Sequence, residues 1–257
     1  MVFDMTSPEN ATKSLAEFAK TTNLQIHNLL FNNNHDVHET ICEMVKQTID
    51  TNGIQDIKIA ALHYTSNDDN CESIKQVGLR DLQFVLENET PLSKFLNDHS
   101  FHFDLSSMKM TYGSEIFDIQ YKSGVSPIES PINLISNKIY YDYATTAFIY
   151  SKNFTKYGGK VHRRPEFLYN LDRIAKHNMA LNSLSQEWVD RSKSYEIKFF
   201  APINIIDECT YDRKPVENWL VNTAVQIIEG ISSEVFLYIK RESYVAPEYI
   251  ASINELI

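Results

Sequence analysis

Apolar residues recur at threes and fours across positions 11–50: Leu15, Phe18, Leu24, Ile26, Leu29 and Leu30, then Val37, Ile41, Met44, Val45 and Ile49. That spacing predicts two short amphipathic helices, interrupted at Asn32–Asn34 and ended by Thr51-Asn-Gly53. The pattern then changes to alternation. Ile57–Thr65 predicts a strand, with Ile59, Ala61, His63 and Thr65 on one face and Ala60, Leu62 and Tyr64 on the other. Asp69–Val77 predicts a helix closed by Gly78, because a glycine just past the last apolar turn takes the left-handed cap.

Helical spacing returns over Leu82–Leu96, and 100–132 is irregular, with short strands predicted at Phe101–Leu105 and Ile116–Tyr121. Asn137–Asp142 reads as a strand leading into an aromatic helix, Tyr143–Phe154, which Gly158-Gly159 breaks. Pro165 opens another helix with Phe167, Leu168, Leu171, Ile174 and Ala175 on one face. Tyr195–Ile206 is a strand region. Val216, Trp219, Leu220, Ala224, Ile227 and Ile228 form an amphipathic helix capped near Gly230, and Val235–Ile239 is a short apolar strand. The order is α+β rather than a regular βαβ alternation. It divides into a helical N-terminal extension, 1–55, and a mixed domain, 56–257, with an insertion at about 158–194.

At 257 residues and 43% hydrophobic content, the chain can bury a sizeable core. Cys42, Cys71 and Cys209 are odd in number, scattered and without a CxxC pair, so a reducing compartment fits better than a disulfide framework. Met1–Pro8 has neither a basic n-region nor an apolar h-region, and no later run has the length of a membrane helix. A soluble cytoplasmic protein with no membrane partner is expected. The net charge is −10, yet positions 152–198 hold ten Lys/Arg against five Asp/Glu. A basic stretch inside an acidic protein suits a phosphate-bearing ligand or a nucleic acid, and equally a solvated helix face.

Three clusters carry candidate chemistry. His63 and Thr65 point the same way and could offer a ribose a ring nitrogen and a hydroxyl. Lys138-Ile-Tyr-Tyr-Asp-Tyr-Ala144 and the following Thr145–Tyr150 are dense in tyrosine. Tyr140 or Tyr141 with Tyr150 could clamp a flat cationic ring by stacking and cation–π attraction. Glu234 opens the last apolar strand on the face of Phe236 and Tyr238. Taken singly, each also fits a packing role. There is no G-x-G-x-x-G and no P-loop. His99-x-x-His102 with Asp104, and His35-x-x-His38 with Glu39, have metal-like spacing but no convincing third partner, so no metal is expected.

The order of His-x-Thr strand, tyrosine-rich element, Tyr195-Glu-Ile-Lys-Phe strand and Glu-led strand resembles the ADP-ribosyltransferase superfamily of the His-Tyr-Glu, diphtheria-toxin or PARP type. His63-Tyr-Thr-Ser66 with Ile74-Lys-Gln-Val-Gly-Leu79 is similar to the opening of DarT-type toxins, which modify DNA. The resemblance covers about residues 57–257. It implies a split antiparallel β-sheet core with flanking helices and an enzyme that cleaves NAD+, its co-substrate, without a metal. It further implies transfer of ADP-ribose to a macromolecular acceptor, with RNA or DNA ahead of protein. A bacterial or phage-defence toxin, paired with an antitoxin protein, would be the setting.

Under this resemblance His63 binds an NAD+ ribose, with Tyr64 and Thr65 beside it. Tyr141 or Tyr140 stacks on nicotinamide, and Glu234 stabilises the oxocarbenium-like transition state. Glu166 and Glu196 rival Glu234, and Arg163 and Arg164 would hold the acceptor. The chain departs from the family at Tyr64, where a small residue usually follows the histidine, and in its shorter tyrosine spacing. Two other readings stand beside this one. A two-histidine phosphoesterase needs a second His-x-Thr/Ser, which the chain lacks, and a catalytically inactive binding or immunity protein could keep the same fold.

Overall fold

The computed structural model describes residues 1–31, 37–124, 130–175 and 183–256. Three N-terminal helices form, α1 (Pro8–Phe18), α2 (Asn23–Phe31) and α3 (Val37–Asn52). Ser7 caps the first by accepting from the Asn10 N–H, and Lys20, at φ 52°, turns the chain between α1 and α2. The predicted break at Asn32–Asn34 lies outside the described residues. These helices are not an appendage. Leu15, Phe18, Ile41, Val45 and Ile49 share one buried cluster with Leu220, Ala224 and Ile227 of the C-terminal helix, and with the main sheet.

β1 (Val2–Phe3) pairs in parallel with the start of β2 (Lys58–Asn67). After β2 come α4 (Glu72–Val77), α5 (Leu82–Glu87) and α6 (Pro91–Asp98), then a meander of β3 (Phe101–Asp104), β4 (Lys109–Tyr112) and β5 (Glu115–Asp118). α7 (Pro131–Tyr140), β6 (Thr146–Ser151), α8 (Glu166–Ala175), α9 (Leu184–Arg191) and β7 (Lys193–Pro202) follow. The chain closes with α10 (Val216–Ile228), β8 (Glu234–Tyr238) and β9 (Ile250–Glu255). The architecture is mixed α+β, with antiparallel sheets and flanking helices. The main sheet runs β8-β6-β2-β7-β9, antiparallel between these neighbours. A second apolar cluster, with Phe95, Phe101, Met110, Ile135, Leu168 and Trp188, unites the meander with α6 to α9.

Two predicted elements are exchanged. Asn137–Asp142 is the end of helix α7 and not a strand, because Pro131 in the first turn and the Ser130 hydroxyl, which accepts from the Asn133 N–H, start a helix upstream. Ile132, Ile135 and Ile139 supply its apolar stripe. The predicted helix Tyr143–Phe154 is instead strand β6. Its Thr-Ala-Phe-Ile-Tyr-Ser sequence is β-branched and aromatic, and pairing to β2 and β8 on both sides overrides the helical spacing. Leu82–Leu96 divides into α5 and α6, where Thr90 and Ser93 form a capping box ahead of Pro91. Gly78 closes α4, at φ 81° and ψ −173°, an extended glycine conformation in place of the predicted left-handed helical cap. Among the described residues no helix is long and apolar enough to cross a membrane.

Register sets up an opening in the main sheet. All ten residues of β2 pair with β7. On the other side Leu62 lies opposite Phe148, so β6 begins, at Thr146, opposite Tyr64. Thr65, Ser66 and Asn67 therefore run past the end of β6.

Candidate functional site

Beyond that strand end lies a cavity of about 490 Å³, walled by His63, Tyr64 and Thr65 of β2, Thr145, Thr146 and Phe148 around β6, Phe236 and Tyr238 of β8, and Pro165 and Glu166 at the start of α8. A narrower cavity of about 140 Å³ continues it beneath α4 and α5, and shares His63, Thr65 and Arg80. Together they make one bent cleft.

His63 lies on the face that alternation assigns it, with buried Ile59 and Ala61 below it in the strand. Its Nδ1 is 2.9 Å from the Thr146 carbonyl oxygen. A carbonyl only accepts, so Nδ1 carries the proton and Nε2 is left with a lone pair. Burial pushes the ring below its ordinary pKa of 6.5 against the opposing pull of that hydrogen bond, so the neutral form holds at pH 7. The result is a fixed acceptor at the cleft.

Two cations line the larger cavity: Lys138, which is paired with Glu166 and Asp142, and Arg80, which also borders the narrower one. The Arg80 guanidinium lies 3.4 Å from the Tyr244 ring centroid and 4.6 Å from that of Phe84, and its Nε–H donates to the Val77 carbonyl at 2.9 Å. No ion pair engages it among the described residues. Held between two rings and bordering both cavities, it is ready for an anionic group. No motif surrounds Arg80, so only the fold reveals it.

The aromatic wall differs from the predicted clamp. Phe148 meets Tyr157 edge-on at 5.2 Å and Phe236 at a 42° tilt at 5.0 Å, and Phe236 stacks with Tyr238 at 6.3 Å. Tyr143 completes the lining. The tyrosines singled out by density lie elsewhere, because α7 carries Tyr140 and Tyr141 away on its last turn. Tyr140 packs on the second cluster and donates its hydroxyl to the Leu105 carbonyl. Tyr141 is half exposed, edge-on to Tyr121. Tyr150 packs against the main core.

Tyr64 leaves β2 on the opposite face from His63, the face of Phe148, where it too borders the cleft and lies flat on Phe154, ring centroids 4.0 Å apart and planes 5° from parallel. Its hydroxyl donates to Glu196 Oε2 at 3.1 Å. Burial, followed by the charge of Glu196, drives the phenol upward and keeps it protonated.

The three carboxylates separate. Glu166 borders the cleft, with Lys138 Nζ at 2.7 Å, and the same Lys138 also pairs with Asp142. Glu196 holds Tyr64. Glu234 is exposed and pairs across to Ser151, at the far end of β8 from Tyr238. Four residue steps of extended chain, about 13 Å, separate Glu234 from Tyr238. His63 and Glu166 thus border one cleft, and Glu234 and Tyr141 stand outside it.

Arg163 and Arg164 border a neighbouring cavity with Lys160, on the other side of the turn whose Val161 and Pro165 wall the cleft. His99 and His102 diverge, His99 to the Phe95 carbonyl and Glu187, His102 to Asn97. His35 lies outside the described residues. Among these, no group of three His, Cys, Asp or Glu side chains could hold a metal ion. Comparison of the chain with family models, curated proteins and solved structures finds no match in any of the three.

Proposed function

We propose that the chain is an ADP-ribosyltransferase that binds NAD+ in this cleft and transfers ADP-ribose to a macromolecular acceptor. The fold in this reading is the split antiparallel core of that superfamily. The observation that carries it is the convergence of a neutral histidine lone pair, an arginine with no ion pair among the described residues and an aromatic wall on one cleft. Each meets a different part of a dinucleotide. His63 Nε2 accepts from a ribose hydroxyl, with Thr65 beside it, and Arg80 neutralises the pyrophosphate. The ring wall stacks on the cationic nicotinamide.

In the reaction the bond between the ribose C1′ and the nicotinamide nitrogen breaks, and its electron pair leaves with nicotinamide. Positive charge develops on the ribose, the acceptor's nucleophile forms the new bond to C1′, and the nucleophile's proton is released. A fixed carboxylate beside that carbon stabilises the developing charge. Of the candidate glutamates Glu166 is the one that borders the cleft, beside Asp142, whereas Glu234 is the one the resemblance designates.

The test is nicotinamide release and transfer of labelled ADP-ribose by the full chain, with His63→Ala, Arg80→Ala, Glu166→Gln and Glu234→Gln. We expect His63→Ala and Arg80→Ala to weaken NAD+ binding at least tenfold. The glutamine variant of the true catalytic carboxylate should lose turnover while keeping binding. If the wild-type chain neither binds NAD+ nor releases nicotinamide, the reading fails. In the toxin setting, growth arrest on expression would depend on the same carboxylate and be relieved by an antitoxin protein.

A second reading rests on Tyr64. Its flat contact with Phe154 fills an aromatic slot where the resemblance expects a small residue, and so where a nicotinamide ring would stack. In that case the chain is a binding or immunity protein that keeps the fold without turnover. NAD+ binding with no nicotinamide release would favour it.

A further inference from the structure

The turn over residues 160–166 has two sides. Val161, Pro165 and Glu166 face the cleft, while Lys160, Arg163 and Arg164 border a separate cavity of about 270 Å³ with Ser183, Ser185 and Gln186. None of the three cations has an ion pair among the described residues. In a chain of net charge −10, three unpaired cations on one small cavity are a local feature and not an average property of the surface.

Carboxylates nearby are already engaged. Asp172, buried behind the cavity, accepts from the Ser183 hydroxyl at 2.6 Å and the Ser185 N–H at 3.3 Å, and Asp190 accepts from the Gln186 amide at 2.7 Å. Asp172 therefore satisfies the start of α9, and an anion would be met by side chains rather than by helix amides. One group stays unused. Ser185 is 2% exposed, borders the cavity, and its Oγ has no hydrogen-bond partner among the described residues. A buried hydroxyl without a partner is costly, and an incoming oxygen acceptor would satisfy it.

A second feature distinguishes a strand from a free anion. Tyr169, on α8 three residues beyond Glu166, is half exposed, and the Arg164 guanidinium lies 5.0 Å from its ring centroid. Phosphate-binding cations beside an exposed aromatic face are what an unpaired polynucleotide uses: charge for the backbone, a ring for a base.

We propose that this cavity binds the phosphodiester backbone of a single-stranded nucleic acid, with a base against Tyr169, and that the strand continues over the 160–166 turn to the cleft. As the acceptor of ADP-ribose, that strand rests on the transferase reading; as a ligand it does not. Three lost phosphate contacts on a single strand correspond to a change of about 2 in the slope of log affinity against log salt, or about 20-fold in affinity between 50 and 200 mM salt.

The test is fluorescence anisotropy of a labelled single-stranded oligonucleotide with the full chain at those two salt concentrations. The combined Lys160→Gln, Arg163→Gln, Arg164→Gln variant should lose binding at least tenfold and flatten the salt slope by about 2. Tyr169→Ala should weaken binding about tenfold with the slope kept. Ser185→Ala should weaken it several-fold. Circular dichroism melts establish that each variant is folded. The proposal is overturned if no oligonucleotide binds at 50 mM salt, or if the triple variant keeps wild-type affinity and slope. It is also overturned if inorganic phosphate or a mononucleotide competes as well, per phosphate, as the strand does, since the cavity is then a small-anion site. Nicotinamide release without acceptor, measured on the same wild-type preparation, separates the two readings. Strand binding without release counts against the cleft alone, and release without strand binding counts against this cavity alone.

Discussion

Tyr64 is where sequence, packing and proposed chemistry meet, and two substitutions there separate its contributions. Tyr64→Phe removes only the hydroxyl that donates to Glu196 at 3.1 Å. A hydrogen bond to a charged group is worth about 1.5–3 kcal/mol, and Glu196 is only partly buried, so the lower end, about 1.5 kcal/mol, is expected. Tyr64→Ala also removes a ring that is 7% exposed and packs on Phe154 and Phe148. Truncating a buried aromatic costs about 3–5 kcal/mol, in line with about 150–200 Å² of ring surface at about 25 cal/mol per Å². Urea unfolding followed by circular dichroism measures both. If Tyr64 occupies the place of a nicotinamide ring, the Tyr64→Ala cavity gains a ligand: free nicotinamide should raise the melting temperature of this variant and not of wild type. At a ligand concentration 100 times its dissociation constant, the gain is about 2.7 kcal/mol. A Tyr64→Ala loss below about 1 kcal/mol would refute the packing account. A nicotinamide response equal to that of wild type would refute the slot.

Trp188 is 1% exposed, donates its indole N–H to Ser66 Oγ at 2.8 Å and joins the second cluster to the end of β2 that runs past β6, so Trp188→Phe should cost about 2–4 kcal/mol from the lost bond and the cavity together. Ser66→Ala should be less than additive with it in urea melts, and simple additivity would deny the contact. Gly78 has φ 81°, and a Cβ there would sit 2.1 Å from the Val245 carbonyl oxygen, so Gly78→Ala should destabilise by at least about 2 kcal/mol; a neutral result in thermal melts would disprove that approach. Burial acts to raise Asp4, but hydrogen bonds from Lys198 and Thr6 outweigh it and hold the carboxyl below 3.8. A depressed acid stabilises the fold above its ordinary value, and that contribution is lost as pH falls from there through the folded value. Asp4→Asn should therefore lower the urea midpoint at pH 7 and flatten its fall below about pH 4; an unchanged acid limb would refute the coupling. For His63 the folded pKa is depressed below 6.5, so NAD+ affinity by calorimetry should hold as pH falls past 6.5 and weaken only below it; a midpoint at or above 6.5 would contradict its burial.

Sequence periodicity located His63 because its signal is local. Alternation along Ile57–Thr65 depends only on that strand having a buried face, and the register of β2 against β7 realises it across ten residue pairs. The tyrosine-rich region failed for the opposite reason. Its strand, β6, is six residues in the middle of a sheet, fixed by partners more than eighty positions away, while the helix before it is started by Ser130 and Pro131, upstream of the residues that drew attention. Reading Tyr140 and Tyr141 as strand residues aimed them at a ligand, whereas the end of α7 aims one at the second cluster and leaves the other in solvent. The cleft's aromatic wall then comes from Phe148, Tyr157, Phe236 and Tyr238, on elements joined only by long-range pairing, which no window of sequence brings together. Arg80 follows the same rule, since its value lies in two rings that clasp it, Phe84 from its own neighbourhood and Tyr244 from the far end of the chain. What the sequence could state about Glu234 was its face, not its height along the strand. Height decides whether a carboxylate reaches the cleft, and in β8 it favours the end that carries Tyr238 over the end that carries Glu234.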